Sequence, residues 1–250
     1  MEEALLTIAG VDKSFDKRQV LKNITFSLQK GEFVSLVGVS GSGKSTLLNI
    51  IAGLEKPDSG SIVLRQRDVT NQKGNVSYML QKDLLFPYYT IVDNVILPLV
   101  IGGEDKASAR AKASSLFAQF GLEGTQNQYP AQLSGGMKQR AAFLRTYLTS
   151  KPIMLLDEPF SALDMITKNH MREWYIETVR KLGLTTLLIT HDIEEAILLS
   201  DRILIMNNVS ENEETNIIAE IRVETEQQRT MDFCYTEQFA RMKQKIYEML

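Results

Sequence analysis

Short apolar runs alternate with longer segments of helical spacing along most of the chain, which is the pattern of an α/β protein. The run EFVSLVGV, residues 32–39, is almost continuously apolar and ends in a glycine loop, which is typical of a buried strand. A segment with helical spacing follows at residues 46–54. Further strands are predicted at residues 75–80, 152–157, 185–190 and 202–206, with a helix at 166–182. This alternation implies a mostly parallel sheet covered on both faces.

Two regions depart from that alternation. Near the start, the segments ALLTIAG and ITFSL have the spacing of short strands, and KRQ separates them. From about residue 82 to residue 150 no strand pattern occurs, and residues 106–122 predict an amphipathic helix. We expect alanine and lysine on one side of that helix and leucine and phenylalanine on the other. The chain is therefore predicted to be one domain, 1–250, with a helical subdomain at about 82–150 and a terminal strand and helix within 207–250.

Composition narrows the classes of function. Hydrophobic residues make up 44% and charged residues 24% of the 250 positions, which is ordinary for a soluble globular protein. A net charge of -3 disfavours a nucleic-acid partner. Cys234 is the only cysteine, so we expect no intrachain disulfide and a reducing compartment. No apolar run approaches the roughly 18 residues of a membrane span. We expect a cytoplasmic protein whose membrane role, if it has one, comes through a partner.

The strongest chemical signal is GVSGSGKST at residues 38–46, which fits the pattern G-x-x-x-x-G-K-S. Glycines let a backbone wrap closely around phosphate, and successive N–H groups form an anion nest at the start of the next helix. The alternative, a flexible turn, is disfavoured by the predicted strand before the motif and the helix after it. Lys44 is expected to reach the β- and γ-phosphates of a nucleotide, and Ser45 to ligate Mg²⁺. The predicted binding residues are Gly38, Ser40, Gly41, Ser42, Gly43, Lys44, Ser45 and Thr46.

Two carboxylates follow another buried strand, in IMLLDEP at residues 153–159. A triphosphatase needs an acidic metal ligand and a group that orients water. Asp157 is expected to hold Mg²⁺ through its water shell, and Glu158 to orient or deprotonate the attacking water. The alternative is an ordinary acidic turn after a strand. The phosphate-binding motif (P-loop) at residues 38–46 in the same chain disfavours that alternative.

A histidine ends the next strand, in LLITHDIEEA at residues 187–196. The spacing of Asp192 and Glu195 predicts a capping box and hence a helix that begins there. His191 then lies at the carboxyl edge of the sheet, where open α/β sheets bind ligands, and is expected to contact the γ-phosphate. His170 lies within a helical pattern and is interpreted as incidental.

A second possible anion site is LSGGMKQR, residues 133–140. Ser134, Gly135 and Gly136 precede a predicted helix, whose amino end attracts phosphate through exposed N–H groups and the helix dipole. One chain therefore carries two predicted phosphate sites.

The motifs GVSGSGKST, LSGGMKQR, LLDEP, SALD and ITHD, in this order, resemble those of the ATP-binding cassette (ABC) ATPases over about residues 4–206. The resemblance implies an α/β fold with a RecA-like P-loop core, an N-terminal antiparallel β subdomain and an inserted α-helical subdomain. It also implies ATP and Mg²⁺ as cofactors and ATP hydrolysis coupled to transport.

The same resemblance implies roles for further residues. Phe15 matches an aromatic residue that stacks on adenine, although it could instead be a core phenylalanine. Gln81 matches a glutamine that contacts Mg²⁺ and the attacking water, and Asp164 matches a loop that communicates across a dimer. Ser134 and Gly136 match the signature positions that bind the γ-phosphate. In the family two cassettes face each other head to tail, so each ATP lies between one P-loop and the other subunit's signature, and this implies a homodimer or paired cassettes.

Other features bear on the branch of the family. One cassette without a heptad insertion looks like a separate transporter subunit at the cytoplasmic face of the membrane. Residues 84–99, LLFPYYTIVDNVILPL, resemble the segment that couples to the membrane permease, unless they form an ordinary core segment. YPAQLSGGMKQR, DEPFSALD and TKNHMREWY resemble the nitrate/sulfonate/taurine importers, which implies a solute-binding protein as a further partner. The Arg-Pro-Arg run common in that group's tail is missing, so the sequence leaves the transported solute undetermined. An exporter ATPase, a lipid-extraction ATPase and a soluble non-transport cassette stay as alternative functions.

Overall fold

One mixed sheet organises the chain. The computed structural model describes residues 4–16, 18–208, 215–225 and 230–250. Within these residues the strands are β1 (Leu6–Phe15), β2 (Arg18–Leu28), β3 (Phe33–Gly38), β4 (Ser59–Leu64), β5 (Arg67–Asp68), β6 (Ser77–Met79), β7 (Ile153–Asp157), β8 (Thr185–Thr190), β9 (Arg202–Asn208) and β10 (Thr215–Arg222). The helices are α1 (Lys44–Ile51), α2 (Ile91–Ile101), α3 (Lys106–Phe117), α4 (Gly135–Tyr147), α5 (Met165–Leu182), α6 (Ile193–Leu199) and α7 (Glu237–Tyr247). The strand order is β5-β4-β1-β2-β10-β9-β3-β8-β7-β6.

The centre of the sheet is parallel, as the alternation of strands and helices predicts. Strands β9, β3, β8, β7 and β6 are consecutive neighbours, and all four pairings are parallel. Every residue of β3, β7 and β8 is buried, because helices cover both faces. The carboxyl ends of these strands therefore lie at one edge of the sheet, and that edge carries the candidate site.

The N-terminal part of the sheet is antiparallel. Strand β1 pairs with β2 on one side and with β4 on the other. Strand β10 joins the two parts, since it is antiparallel to β9 and parallel to β2. The two strands predicted near the start are longer than expected, at 10 and 11 residues, because pairing continues through their polar positions. Of the predicted separator KRQ, residue 17 lies outside the described residues, and Arg18 and Gln19 already belong to β2.

The two faces of the sheet have separate cores because strand side chains alternate. From β3, Val34 and Leu36 pack in a cluster with Leu47 and Ile50 of α1. Phe33 and Val37 belong to the larger cluster, which contains the buried faces of the remaining helices. Helix α1 is thereby held directly behind the loop that follows β3.

The segment at residues 82–150 is helical and contains no strand, as the sequence predicts. The face assigned to α3 is partly wrong. Ala109 and Ala113 are fully buried together with Phe117, at helical spacing i, i+4, i+8. Small side chains suit a closely packed helix interface, so these alanines share the apolar face instead of opposing it. The subdomain boundaries at about 82 and 150 stay predictions.

The C-terminal part adds β10 and α7, which confirms the predicted terminal strand and helix. Phe239 and Ile246 of α7 are buried in the larger core. Residues 226–229, part of the tail that replaces the Arg-Pro-Arg run, lie outside the described residues. In the part of the chain that the structure describes, no helix is long and apolar enough to cross a membrane.

Candidate functional site

The loop between β3 and α1 has the backbone of a phosphate cradle. Gly41 and Gly43 have φ angles of 83° and 82°, in the left-handed region that glycine favours. A Cβ atom on Gly38 would lie 2.3 Å from the carbonyl oxygen of Met206 in β9, so only glycine fits this tight packing. Within the loop Ser40 and Gly41 are exposed and Ser42 is buried, while in α1 Ser45 is exposed and Thr46 half-buried. The loop therefore presents its backbone at the amino end of α1.

Lys44 places its charge inside this loop. Its Nζ donates hydrogen bonds to the carbonyl oxygens of Gly38 (2.9 Å) and Val39 (2.7 Å) and to Ser42 Oγ (3.3 Å). Burial lowers the pKa of the Lys44 ammonium, and the nearby carboxylates of Glu158 and Asp157 oppose that shift. A buried cation at the centre of a backbone nest is suited to a polyphosphate.

Asp157 is buried at the end of β7, close to Ser45. Burial and the neighbouring Glu158 raise the pKa of the Asp157 carboxyl, while hydrogen bonds from Ser45 and Tyr78 oppose that rise. The Tyr78 hydroxyl lies 3.4 Å from Asp157 Oδ2. A serine hydroxyl and a carboxylate are oxygen donors of the kind that Mg²⁺ prefers, and their mutual hydrogen bond places them near enough to share one ion. These residues fit a magnesium ion bound beside the phosphates.

Three predicted catalytic residues meet at the same sheet edge. Gln81 Nε2 donates to Glu158 Oε2 at 3.3 Å, and His191 Nδ1 lies 3.1 Å from Glu158 Oε1. Strands β6, β7 and β8 are parallel neighbours, so the residues just beyond their ends come together. The side chain of Ser161 also contacts Gln81, at 3.3 Å.

The backbone of Glu158 is unusual. Its φ of 44° lies in the left-handed region, where a residue with a Cβ atom is strained. The Glu158 N–H donates to the carbonyl oxygen of Ile189 at 2.9 Å, which holds this turn against β8. Strained residues of this kind concentrate at functional sites. The carboxylate is thus directed toward His191 by the backbone.

The predicted capping box at Asp192 forms only in half. Asp192 does cap α6, accepting from the N–H groups of Glu194 (2.9 Å) and Glu195 (3.2 Å). The reciprocal bond is absent: the Asp192 N–H donates to Thr190 Oγ1 at 3.0 Å. The Glu195 carboxylate is bound by Thr190 Oγ1 at 2.5 Å and faces the core.

The second predicted anion site lies at the start of α4. Ser134 caps this helix by accepting from the Met137 N–H at 3.3 Å. A Cβ atom on Gly136 would lie 3.0 Å from Thr167 in α5, so the glycine permits close helix packing. A groove of about 270 Å³ here has no lining residue from the P-loop among those described. It is lined by Ser134, Gly136, Met137, Arg140, Ile166, Thr167, His170 and Met171.

Asp164 and Phe15 lie at other parts of the molecule's surface. Asp164 caps α5, accepting from the Thr167 N–H at 3.0 Å and its hydroxyl at 2.7 Å. Phe15 is exposed at the end of β1, and Lys13 Nζ lies 4.9 Å from its ring centroid. Lys13 itself is held by Glu55 at 2.6 Å. Exposure makes Phe15 available to a ligand, but its role stays a prediction.

Sequence reasoning missed Tyr78, Ser161 and Lys13. Tyr78 lies three residues before Gln81 on a short strand, and its contact with Asp157 depends on the pairing of β6 with β7. Ser161 is part of the quoted motif SALD, but its contact with Gln81 spans 80 positions. Lys13 lies two residues before Phe15, a spacing that places both side chains on one face of a strand.

The parallel sheet, the glycine loop after its third strand and the acidic residues at its edge define a P-loop nucleotide hydrolase. Comparison with known proteins gives the family. A family model described as "ABC transporter" matches residues 21–161. The chain therefore belongs to the ABC transporter family, as an ATP-binding cassette, and it is an ATPase.

Individual relatives extend this result. The chain is 48% identical over 209 residues to the formylaminopyrimidine import ATP-binding protein ThiZ of Halalkalibacterium halodurans, covering 83% of this chain and 82% of that protein. It is 41% identical over 205 residues to the aliphatic sulfonates import ATP-binding protein SsuB 1 of Shouchella clausii, covering 82% and 78%. A solved dimeric bacterial ABC transporter cassette matches with a TM-score of 0.73 and 30% identity, covering 88% and 99%. A dimeric post-hydrolysis cassette bound to ADP and Pi has a TM-score of 0.72 and the same identity.

Proposed function

We propose that this chain is the ATPase subunit of an importer, and that it acts as a homodimer bound to permease subunits at the cytoplasmic face of a membrane. A solute-binding protein outside the membrane completes the proposed system. The names of the relatives above, both import ATP-binding proteins, support import over export. Among importers, the nitrate/sulfonate/taurine group stays the proposed branch. The other subunits of the system determine which solute is transported.

We assign the residues of the nucleotide site as follows. The P-loop N–H groups and Lys44 bind the β- and γ-phosphates, and Phe15 stacks on adenine. Ser45, Asp157 and Gln81 would hold Mg²⁺, which when bound neutralises phosphate charge.

The catalytic step is assigned to the sheet edge. Glu158 accepts a proton from the attacking water or orients it, and it is held by Gln81 at 3.3 Å and by His191 at 3.1 Å. His191 also contacts the γ-phosphate. These two contacts to the Glu158 carboxylate are the observation that supports the mechanism.

The second copy completes each site in this proposal. Ser134, Gly135 and Gly136 of one copy bind the γ-phosphate held by the other P-loop, and Asp164 contacts the partner cassette. The groove at the start of α4 has no P-loop residue among its described lining residues, which supports this arrangement. ATP then favours the closed dimer, and hydrolysis removes the bridging phosphate so that the dimer opens.

The dimer proposal is tested with Glu158→Gln, which keeps the shape of the side chain and removes the base. We expect the variant to bind ATP, to lose turnover and to elute as a dimer with ATP but as a monomer with ADP. Glu177→Gln, on the exposed surface of α5, is the matched control and should behave like the parent chain. A Glu158→Gln protein that stays monomeric with ATP, even with its permease present, would contradict the shared-site mechanism.

The permease contact is assigned to residues 84–101. This segment exposes aromatic and aliphatic side chains that a monomer ordinarily covers: Leu84, Phe86, Tyr88, Tyr89, Val100 and Ile101. A groove of about 250 Å³ lies beside them. It is lined by Tyr89, Asp93, Ile96, Leu97, Val100 and Lys106. A groove of this size suits the apolar face of a short helix from a membrane subunit.

Co-purification tests this contact. Tyr88 is 90% exposed, so Tyr88→Ser should leave the fold intact and reduce recovery of the chain with the proposed permease subunits. Tyr235→Ser, at another exposed tyrosine, is the matched control. Recovery of nucleic acid and no permease from the membrane fraction would overturn the importer proposal in favour of a soluble cassette.

A further inference from the structure

A cluster of ionised side chains joins α5 to the turn that carries His191. Lys168 Nζ lies 2.7 Å from Asp192 Oδ2 and 2.7 Å from Glu195 Oε1. One helical turn later, Arg172 Nη2 lies 2.7 Å from the same Asp192 oxygen and 3.3 Å from Glu195. Two cations on one helix thus share two carboxylates on the next.

This cluster is largely removed from solvent. The side chains of Arg172 and Glu195 are only 4% and 3% exposed. Burying ions is unfavourable, and buried ion pairs often add little net stability compared with apolar side chains. What such a network can supply instead is a defined geometry for the groups that it joins.

The ionised cluster holds the turn at residues 190–192 in place. Thr190 Oγ1 donates to Glu195 at 2.5 Å and accepts the Asp192 N–H at 3.0 Å. Asp192 is in turn held by Lys168 and Arg172. His191 lies between these two anchored residues, and its own side chain is 54% exposed. Its orientation toward Glu158 therefore depends on the backbone on either side of it more than on side-chain packing.

The same cluster reaches the loop that contains Asp164. The backbone N–H of Lys168 donates to the carbonyl oxygen of Asp164 at 2.8 Å, in the first turn of α5. Asp164 also caps that turn through its side chain. A displacement of the Asp164 loop would therefore move Lys168 and the carboxylates that it holds.

We propose that Lys168 and Arg172 are positioning residues for ATP hydrolysis: they fix the turn 190–192, so that His191 faces Glu158, and they link that turn to the Asp164 loop. The inference rests on the catalytic role proposed above for His191. Among the described contacts of Lys168 and Arg172, none is with the P-loop or with Glu158. Both cations therefore act through the turn at residues 190–192.

The pKa shifts of Lys168 and Asp192 agree with this arrangement. Burial alone would lower the pKa of the Lys168 ammonium, but hydrogen bonds to Asp192 and Glu195 raise it. Burial opposes ionisation of Asp192 as well, yet Lys168 and Arg172 lower the pKa of its carboxyl. Both pKa shifts favour the ionised forms of Lys168 and Asp192.

The test uses Lys168, because it is 20% exposed and its loss still leaves Arg172 paired with both carboxylates. ATP hydrolysis by the full chain is measured for Lys168→Met, for Lys168→Arg, and for Lys168→Met combined with His191→Ala. Lys181→Met, at an exposed lysine near the end of the same helix, is the matched control. Thermal midpoints are recorded for every variant, so that loss of fold is separated from loss of turnover.

A displaced catalytic group lowers turnover by up to about 100-fold per ångström. We therefore expect Lys168→Met to lower kcat by roughly 10-fold with KM for ATP unchanged, and Lys168→Arg to restore kcat to within about threefold. In the His191→Ala background, Lys168→Met should lower kcat by less than about twofold more, because the group it positions is already gone.

Several outcomes would overturn the inference. These are an unchanged kcat in Lys168→Met, an arginine variant as impaired as the methionine one, and the same fold-loss in both backgrounds. A loss of kcat matched by Lys181→Met would do so as well. If His191→Ala alone keeps full turnover, the proposed role of His191 fails and the inference falls with it, which distinguishes that failure from the others.

Discussion

Replacing Lys44 by methionine removes a charge while nearly keeping the volume of the side chain. In the structure the Lys44 ammonium donates to two loop carbonyls, those of Gly38 and Val39, at 2.9 and 2.7 Å. It is buried, and burial lowers its pKa. The ammonium is thus held at the centre of the loop, where the phosphates of ATP are expected to bind. We expect Lys44→Met to lose nucleotide affinity and to keep its fold.

The expected changes in ATP affinity and in stability follow from comparing the chain with and without bound nucleotide. A hydrogen bond to a charged group contributes about 1.5–3 kcal/mol. Each 1.4 kcal/mol is tenfold in affinity, so one lost phosphate contact weakens ATP binding by roughly 10- to 150-fold. In the chain without nucleotide, methionine removes an unfavourable buried charge together with the hydrogen bonds that compensate it. These changes oppose each other, and we expect the free energy of unfolding to change by no more than about 1 kcal/mol.

Calorimetric titration with ATP and Mg²⁺ measures the first quantity, and urea unfolding measures the second. Lys73→Met, at an exposed lysine outside the site, is the matched control. A folded Lys44→Met protein that binds ATP as tightly as the parent would refute the assigned role of Lys44. Equal weakening in Lys73→Met would show that the effect is one of net charge and not of position.

Three further predictions concern packing, pH and the signature. Gly38→Ala should destabilise the fold by roughly 1–3 kcal/mol in urea unfolding, because its Cβ atom would lie 2.3 Å from the Met206 backbone oxygen. Burial raises the pKa of the Tyr175 phenol. Stability from this group is present below about pH 10 and is lost as pH rises further, so Tyr175→Phe should show a weaker alkaline decline in unfolding free energy. Ser134→Asp should keep the helix cap, as judged by thermal melting, yet abolish the ATP-dependent dimer of Glu158→Gln, because a carboxylate repels the γ-phosphate; a stable dimer would contradict this.

Local patterns predicted the phosphate loop, Glu158 and His191, because each of them follows a strand, whereas the motif at residues 133–140 follows none. The three catalytic candidates lie just beyond β6, β7 and β8, as the apolar runs before them indicate. Glu195 shows where this reasoning fails. Its position three residues after Asp192 predicts a capping box, but the side chain has stronger partners in Arg172 and Lys168, more than twenty positions earlier in the chain. A pattern within one turn cannot show a cation that arrives from another helix.

The face of α3 fails for a related reason. Alanine is compatible with either side of a helix, so its placement depends on how closely the neighbouring helix approaches. Ala109 and Ala113 are buried because that approach is close, and hydrophobic spacing alone did not separate them from the exposed alanines of the same helix. The fold class follows from strong periodic signals, whereas the choice between small side chains depends on tertiary contacts.

The register of the sheet explains why the site needs its supporting charges. Asp157 pairs with Ile189 across β7 and β8, so Glu158 and His191 extend one and two residues beyond the last paired positions. Beyond the sheet, strand pairing no longer fixes the backbone. On one side the strained turn at Glu158 is tied to β8 by its N–H group. Among the described backbone hydrogen bonds, His191 makes no corresponding bond to β7. The ionised cluster of Lys168, Arg172, Asp192 and Glu195 holds the turn at residues 190–192 instead. The contact between Glu158 and His191 is thus set by two different means: the backbone bond to β8 holds the glutamate, and the ionised cluster holds the turn that carries the histidine. Both sides connect to the loop that contains Asp164, since Ser161 Oγ donates to the Glu158 carbonyl oxygen at 2.9 Å.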